Sequence, residues 1–390
     1  MKKILLATLC FCLALAGNAQ KPREFADASA PRVQQKQAAV WPKAKKLATN
    51  VSGVLAASAK EAPAKVRRQA NDILPNVVPD GENTVYAFIP YDFERWNQTH
   101  SFVKFRTDKP HHADMTKISD WDPRKGYDYW PEITAGTFVG KDLWVFLKQP
   151  FDLGYFYAMG FYKLDYLKEK FESTSETYSI VDDSYNYYKD VNVGYCMDAS
   201  YDPTTGILWY VSPHTGNILF DSFGRAEYWQ LMYIDTKSND HFPQRLGDPL
   251  PICVSSIVAD HGKLNGLGIR VENTGQVDEE TGAEIWGVSS EYVEIIPNVA
   301  NNDYKFNTIR KYSNEELCAS APIDNSSMEL DRDNHRLYLT YTNLITSGVD
   351  YVELNPETGD IISRKEQGGA GFMVNSLAIP YQDCPGDAPC

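Results

Sequence analysis

The chain has 390 residues, a formal net charge of −14 and an aromatic content of 13%. The length allows one large domain or two ordinary ones, and the aromatic load favours strands over helices. The acidic balance argues against nucleic acid or an anionic membrane as partner. The charge is also uneven: residues 1–75 hold 13 basic and 4 acidic residues, a net of +9, which leaves −23 for the remainder.

In chain order, the first expected element is a secretory signal over residues 1–19. Lys2 and Lys3 form its basic start, Ile4 to Ala16 its apolar stretch, and Gly17-Asn18-Ala19 its small-residue cleavage site. No later stretch approaches the roughly 18 apolar residues of a transmembrane helix. The expectation is therefore export to the periplasm, the cell surface or the exterior. Residues 20–77 are rich in Lys, Ala, Gln and Pro and read as a flexible basic linker.

From Val78 the pattern changes to short aromatic and β-branched runs. Five runs rich in small residues recur at Ile133–Val139, Tyr195–Tyr201, Val254–Asp260, Asn325–Asp331 and Val374–Pro380. A second run follows each: Leu143–Leu147, Leu208–Val211, Ile285–Val288 and Leu337–Tyr341. For the fifth it is Val85–Ile89, at the other end of the chain. Third runs occur at Phe102–Phe105, Gly160–Asp165, Leu231–Asp235, Tyr292–Ile296 and Tyr351–Asn355. Weaker fourth runs are Phe306–Arg310 and Ile361–Lys365. Repeats of this kind predict an all-β, five-bladed β-propeller over residues 78–381, with small residues on the crowded axial strands. The first repeat lacks an axial strand, and the stretch Gly371–Tyr381 supplies one, so the ring is expected to close through the C-terminal strand. A β-sandwich is the competing fold, and it does not predict the missing first strand.

The hairpin phrases Tyr201-Asp202-Pro203-Thr204-Thr205-Gly206-Ile207-Leu208-Trp209 and Leu330-Asp331-Arg332-Asp333-Asn334-His335-Arg336-Leu337-Tyr338 resemble those of β-propellers in general. Trp121-Asp122 looks like a WD dipeptide, but it occurs once and without a Gly-His partner, so the WD40 family is not assigned. A signal ending near Asn18-Ala19-Gln20 ahead of a propeller, with a Cys- and Pro-containing tail at 382–390, resembles exported proteins of the Bacteroidetes type. The resemblance implies a propeller of the kind found ahead of fibronectin type III or adhesin modules.

For chemistry, the chain has no Gly-x-Ser-x-Gly elbow, no His-Glu-x-x-His, no phosphate loop and no Cys-x-x-Cys. Asp198, Asp260 and Glu329 are acids on expected axial strands. They make a glycoside hydrolase the alternative function, since such enzymes need paired carboxylates facing a cleft, while an acid on an inner strand can equally hydrogen-bond its neighbours around the axis. His111-His112-Ala113-Asp114 reads as a solvated loop, because adjacent residues chelate poorly. Asp331-Arg332-Asp333-Asn334 shares alternating oxygen ligands with a calcium loop but lacks the downstream Glu, so it reads as a plain turn. No cofactor is expected, with structural calcium as the alternative. Buried free thiols are expected at Cys196 and Cys253, and a local pairing is open to Cys384 and Cys390.

The connections between second and third runs carry more information. Tyr91–Asn97, Phe151–Tyr157 and Phe220–Arg225 combine aromatics with Asp or Arg. Exposed aromatics beside polar groups suit a glycan or a protein surface. The expected function is non-catalytic, adhesin-like ligand binding through Phe93, Trp96, Phe151, Tyr155, Phe220, Phe223 and Arg225. A module that only spaces other domains is the remaining alternative.

Overall fold

The computed structural model describes residues 83–90, 101–119, 132–140, 142–150, 157–165, 170–173, 196–214, 228–238, 241, 243–278, 282, 284–319 and 326–381. The expected signal, the linker, the Trp121-Asp122 dipeptide and the 382–390 tail lie outside them. The described chain is all-β and builds a propeller-like arrangement of four-stranded antiparallel sheets.

Five such sheets are present. One contains β1 (Thr84–Ile89), β2 (Ser101–Arg106) and β3 (Thr116–Ser119). The next contains β4 (Glu132–Val139), β5 (Asp142–Pro150), β6 (Tyr157–Asp165) and β7 (Lys170–Ser173). The third contains β8 (Asp198–Asp202), β9 (Ile207–His214), β10 (Tyr228–Asp235) and β11 (Gln244–Leu250). The fourth contains β12 (Cys253–Asp260), β13 (Lys263–Val277), β14 (Glu284–Asn298) and β15 (Asp303–Lys311). The fifth contains β16 (Ser326–Asp331), β17 (Arg336–Thr342), β18 (Val349–Leu354) and β19 (Ile361–Gly368). The last strand, β20 (Ser376–Ala378), returns to the first sheet and pairs with β1 through Tyr86↔Ala378, Ala87↔Leu377 and Phe88↔Ser376.

The first strands of the sheets neighbour one another in a cycle: β20 lies against β4, β4 against β8, β8 against β12, β12 against β16, and β16 against β20. These strands are not paired by a backbone ladder between sheets, yet they are buried, so their N–H and C=O groups need other partners. Side chains supply them. Along β8, Asp198, Ser200 and Asp202 accept the N–H groups of Ile257, Ala259 and Gly262 at 3.1, 2.9 and 2.8 Å. The bonds advance along both strands in the same sense, so β8 and β12 run parallel. Thr137 on β4 accepts from Tyr201 N–H, and Ser327 on β16 accepts from Leu377 N–H. Asn375 and Ser376 donate to the carbonyls of Ile133 and Gly136. Small polar residues therefore serve the axis as bonding groups as well as by fitting a crowded space.

The expected second strand at Ile285–Val288 is a correction. These residues fall in β14, the third strand of its sheet, and share it with Tyr292–Ile296. The true second strand, β13, follows β12 directly through the two-residue turn His261-Gly262, both at positive φ as a tight hairpin requires. Several polar residues and three glycines dilute its alternation, and the aromatic Trp286 drew the assignment onto the neighbour. The closing strand is likewise shorter than Gly371–Tyr381, at three residues. Cys196, Cys253 and Cys318 are buried free thiols, as expected of the first two, while Cys384 and Cys390 lie outside the described residues.

Candidate functional site

Parallel inner strands place the two kinds of connection at opposite ends of the axis. First-to-second hairpins lie at the C-terminal ends of the inner strands. Second-to-third connections lie at the N-terminal ends.

The axis between them is occupied by ionisable side chains with structural partners. Asp198, 1% exposed, accepts Met328 N–H at 3.0 Å and the Ser327 hydroxyl at 3.0 Å, besides Ile257 N–H. It thus reaches from β8 past β12 to β16, where β12 has no equivalent group to offer: Ser256 Oγ makes no hydrogen bond among the described residues. Burial pushes the Asp198 carboxyl well above the usual range, its three hydrogen bonds oppose that, and Glu329 adds to it. At the other end Arg332 does the reverse job. Its Nη2 donates to the carbonyls of Tyr201 and Ala259 at 2.7 and 2.6 Å, and its guanidinium lies 5.3 Å from the Tyr381 ring centroid. The Tyr381 hydroxyl accepts from Gly140 N–H at 3.3 Å, bringing β4 into the same cluster. One carboxylate gathers amides and one guanidinium gathers carbonyls across the same three strands.

Glu329 is associated with both. It is 3% exposed, its Oε1 accepts Leu330 N–H, and its Oε2 has no hydrogen-bond partner among the described residues. Burial pushes its carboxyl up to about 8, against the smaller pull of Arg332. The folded protein then holds a proton that the unfolded chain releases near the ordinary value of 4.5. This contribution to stability is complete below that value and is lost as pH rises through about 8. The E329Q variant should therefore lose less stability than the parent between pH 5 and 8, by up to about 1.4 kcal/mol per pH unit. Thermal melts across that range check it, and superimposable pH profiles would show Glu329 to be ionised throughout.

Of the three acids considered for catalysis, Asp198 is a bonding group in the axis and Glu329 is buried beside it. Asp260 lies at the far end, with Oδ1 2.6 Å from His261 Nδ1 and 3.7 Å from Arg332 Nη1. Asp198 does not face a cleft as a hydrolase carboxylate must. The Asp331 turn is a plain turn: its carboxylate accepts from Asn334 N–H and Nδ2. His111 caps Ala113 N–H, and His112 is buried beside Phe372, so that segment is structural rather than a solvated loop. Among the described residues no group of three or more His, Cys, Asp and Glu is placed to hold a metal ion. No helix there is long and apolar enough to cross a membrane.

The opposite end is different. Phe93, Trp96, Phe151, Tyr155, Phe220, Phe223 and Arg225 belong to three second-to-third connections that lie outside the described residues. The other two such connections are partly or wholly described, and exposed aliphatic side chains lie at them: Val277, the last residue of β13, at 55%, and Leu344 at 40% and Ile345 at 65% between β17 and β18. Local chemistry builds the Leu344–Ile345 loop. Asn343 Oδ1 accepts from Ile345 N–H, Asn343 Nδ2 donates to Asp350 Oδ2, and Asp350 also accepts from the Tyr341 hydroxyl. Ser347 turns the chain at φ 59°. The loop is thus held firmly while its apolar side chains face outward. Their sequence signal is aliphatic, unlike the aromatic connections of the other three sheets.

No family model matches the chain, and no curated protein does. Among solved structures it is similar to TolB from Acinetobacter baumannii, at 9% identity and a TM-score of 0.36, covering 76% of this chain and 66% of that one. It is similar to the GH43_1 enzyme from Xanthomonas citri, at 11% identity and a TM-score of 0.36, covering 62% and 74%. It is also similar to a Synechocystis apocarotenoid oxygenase mutant, at 10% identity and a TM-score of 0.31, covering 72% and 71%. The functional reading rests on the geometry above.

Proposed function

We propose that the chain is a closed five-bladed propeller, exported by its N-terminal signal, that binds a glycan or protein ligand without catalysis. The binding face is the one bearing the second-to-third connections. The observation that carries this reading is the exposure of Val277, Leu344 and Ile345 on that face. Large aliphatic side chains held outward, Leu344 and Ile345 by an ordered loop and Val277 at a strand end, suit a surface that meets a partner. We assign Phe93, Trp96, Phe151, Tyr155, Phe220, Phe223 and Arg225, on the remaining second-to-third connections of the sequence, to the same binding surface. Closure is supported by the pairing of β20 with β1 and by the cyclic order of the inner strands. An exported, adhesin-like setting of the Bacteroidetes type is the biological context that fits. Catalysis is disfavoured because glycoside hydrolysis needs two carboxylates flanking an accessible bond, and Asp198 is committed to holding strands.

Glycan and protein arrays probed with the full chain test the reading. The Trp96→Ala/Tyr155→Ala double variant and the Ile345→Glu variant should each lose at least tenfold in affinity for the retained ligand with unchanged melting. Asp260→Asn, at the other end, should bind as the parent does. Unchanged affinity in both folded face variants rejects the site, and the absence of any ligand supports the spacer reading instead.

A further inference from the structure

The face of the third sheet that meets the second carries a polar patch. Tyr210 and Ser212 lie two apart on β9, Met232 and Gln230 stand opposite them on β10, and Arg245 stands opposite Met232 on β11. Opposed residues share a face of a sheet and side chains alternate along a strand, so all five point the same way. The Tyr210 ring centroid lies 5.0 Å from that of Phe146 on β5, which sets the direction toward the second sheet. Ser212 is near the end of β9 that leads into its second-to-third connection, so the patch lies under the face proposed above.

Tyr210 and Ser212 are fully buried, yet neither the Tyr210 hydroxyl nor Ser212 Oγ has a hydrogen-bond partner among the described residues. Arg245 Nε has none either, and no ion pair there neutralises its guanidinium. Gln230 does not serve them, since its Nε2 donates to the carbonyls of Leu246 and Gly247 at 2.8 and 3.3 Å. Buried polar groups are as a rule paired, so two hydroxyls and a cation left unpaired on one patch point to an occupant. Burial pushes the Tyr210 hydroxyl well above its usual range, against the pull of Arg245, so it stays protonated and can donate. The corresponding row of the fifth sheet, Thr340, Tyr351 and Lys365, differs in that its cation donates to Asp108 O at 2.7 Å.

We propose that this patch receives the carboxylate of a glutamate side chain from a partner protein, entering between the second and third sheets, with Arg245 as counter-charge and Tyr210 and Ser212 as donors. It rests on the face proposed above and names the partner class there. Hydrogen bonds to an ionised acceptor are the stronger kind, and a guanidinium suits a carboxylate. The sheets are already in ring contact at Phe146 and Tyr210, so the entrance suits a slim group. A glutamate carboxylate stands on two methylenes, whereas a uronate carboxylate is bonded directly to its sugar ring and would draw the ring in with it. The chain's net charge of −14 opposes long-range capture of anions, so selection is local and falls to Arg245.

A rhodamine-labelled, C-terminally amidated peptide with one central Glu among Gly and Ser, titrated into the full chain and followed by anisotropy, tests this. Its comparators are the same peptide with Gln for Glu, and an oligogalacturonate. The Glu peptide should bind at least tenfold more tightly than the Gln peptide. Arg245→Gln should cost it at least tenfold, and Tyr210→Phe and Ser212→Ala severalfold each. Removing an unpaired buried hydroxyl should leave the melting temperature unchanged or higher, so a loss of binding in Tyr210→Phe does not come from unfolding. No binding of the Glu peptide, equal binding of the Gln peptide, or undiminished binding to the folded Tyr210→Phe and Arg245→Gln variants overturns the proposal. So does an oligogalacturonate that binds and responds to Arg245→Gln where the Glu peptide does not. If Ile345→Glu still weakens an array ligand in such a case, the face stands and only this patch fails. If Ile345→Glu has no effect either, both fail.

Discussion

Replacing Asp198 with Ala should remove a large part of the protein's stability, while replacing it with Asn should cost little. In the Ala variant the N–H groups of Ile257 and Met328 and the Ser327 hydroxyl lose their acceptor in the middle of the axis. Each orphaned buried polar group costs about 1–3 kcal/mol, so the total is about 3–9 kcal/mol, against the roughly 5–15 kcal/mol of a typical domain. Asparagine keeps a carbonyl oxygen for the two amides and presents an NH₂ that can donate to Ser327 Oγ. It also removes a carboxylate whose charge both burial and Glu329 oppose. The cost of Asp198→Asn is expected within about 1 kcal/mol, the size of one ordinary net hydrogen bond. Denaturant unfolding of both variants separates the cases. Equal losses would show that the axis depends on the charge rather than on the acceptor geometry.

Ending the chain at residue 370 should abolish cooperative folding, relative to a chain ending at Tyr381. The deletion removes Phe372, Val374, Leu377 and Ile379 from the cluster between the first and fifth sheets, where they meet Val85, Ala87 and Tyr351. Burying one such large side chain is worth about 1.5–3 kcal/mol, so the four together match the stability of a whole domain. The loss is compounded by polar bonds. Ser327 loses Leu377, Gly136 O loses Ser376, Ile133 O loses Asn375 and Arg332 loses the Tyr381 ring. The inner edge of β1 is then left without a partner. Near-UV circular dichroism with a thermal melt reads the result. A sharp transition like that of the longer chain would mean that β20 is dispensable and the ring does not close through it.

Much of the architecture is legible in the sequence. Runs such as Val254–Asp260 and Leu337–Tyr341 carry the small-residue and alternating patterns of their strands, and a short strand far from its sheet was traceable because the first repeat lacked one. What could not be read falls into two kinds. The axial bonds join residues far apart in sequence, so nothing near Asp198 announces Met328, and nothing in the turn phrase around Arg332 announces Tyr201 or Ala259. From sequence the axial position of Asp198 fits chemistry and hydrogen bonding around the axis equally well, and only the fold decides for the second. The β13–β14 ribbon was hidden for a local reason. Gly266, Gly268 and Gly275, with polar neighbours such as Asn273 and Thr274, blur the period-two signal, and only pairing with β14 makes a strand of them. Leu344 and Ile345 are ordinary residues in sequence, and only their outward placement by Asn343 gives them meaning.

The central claim is that one face of the ring, at the N-terminal ends of the inner strands, meets the ligand. Hydrogen–deuterium exchange on the full chain, with and without the ligand retained on the arrays, tests it most directly. Protection is expected in residues 91–100, 151–156, 215–227, 270–289 and 343–348, with no change at the hairpins around Asp202, His261 and Asp333. Protection confined to those hairpins, around the Arg332 end of the axis, would contradict it.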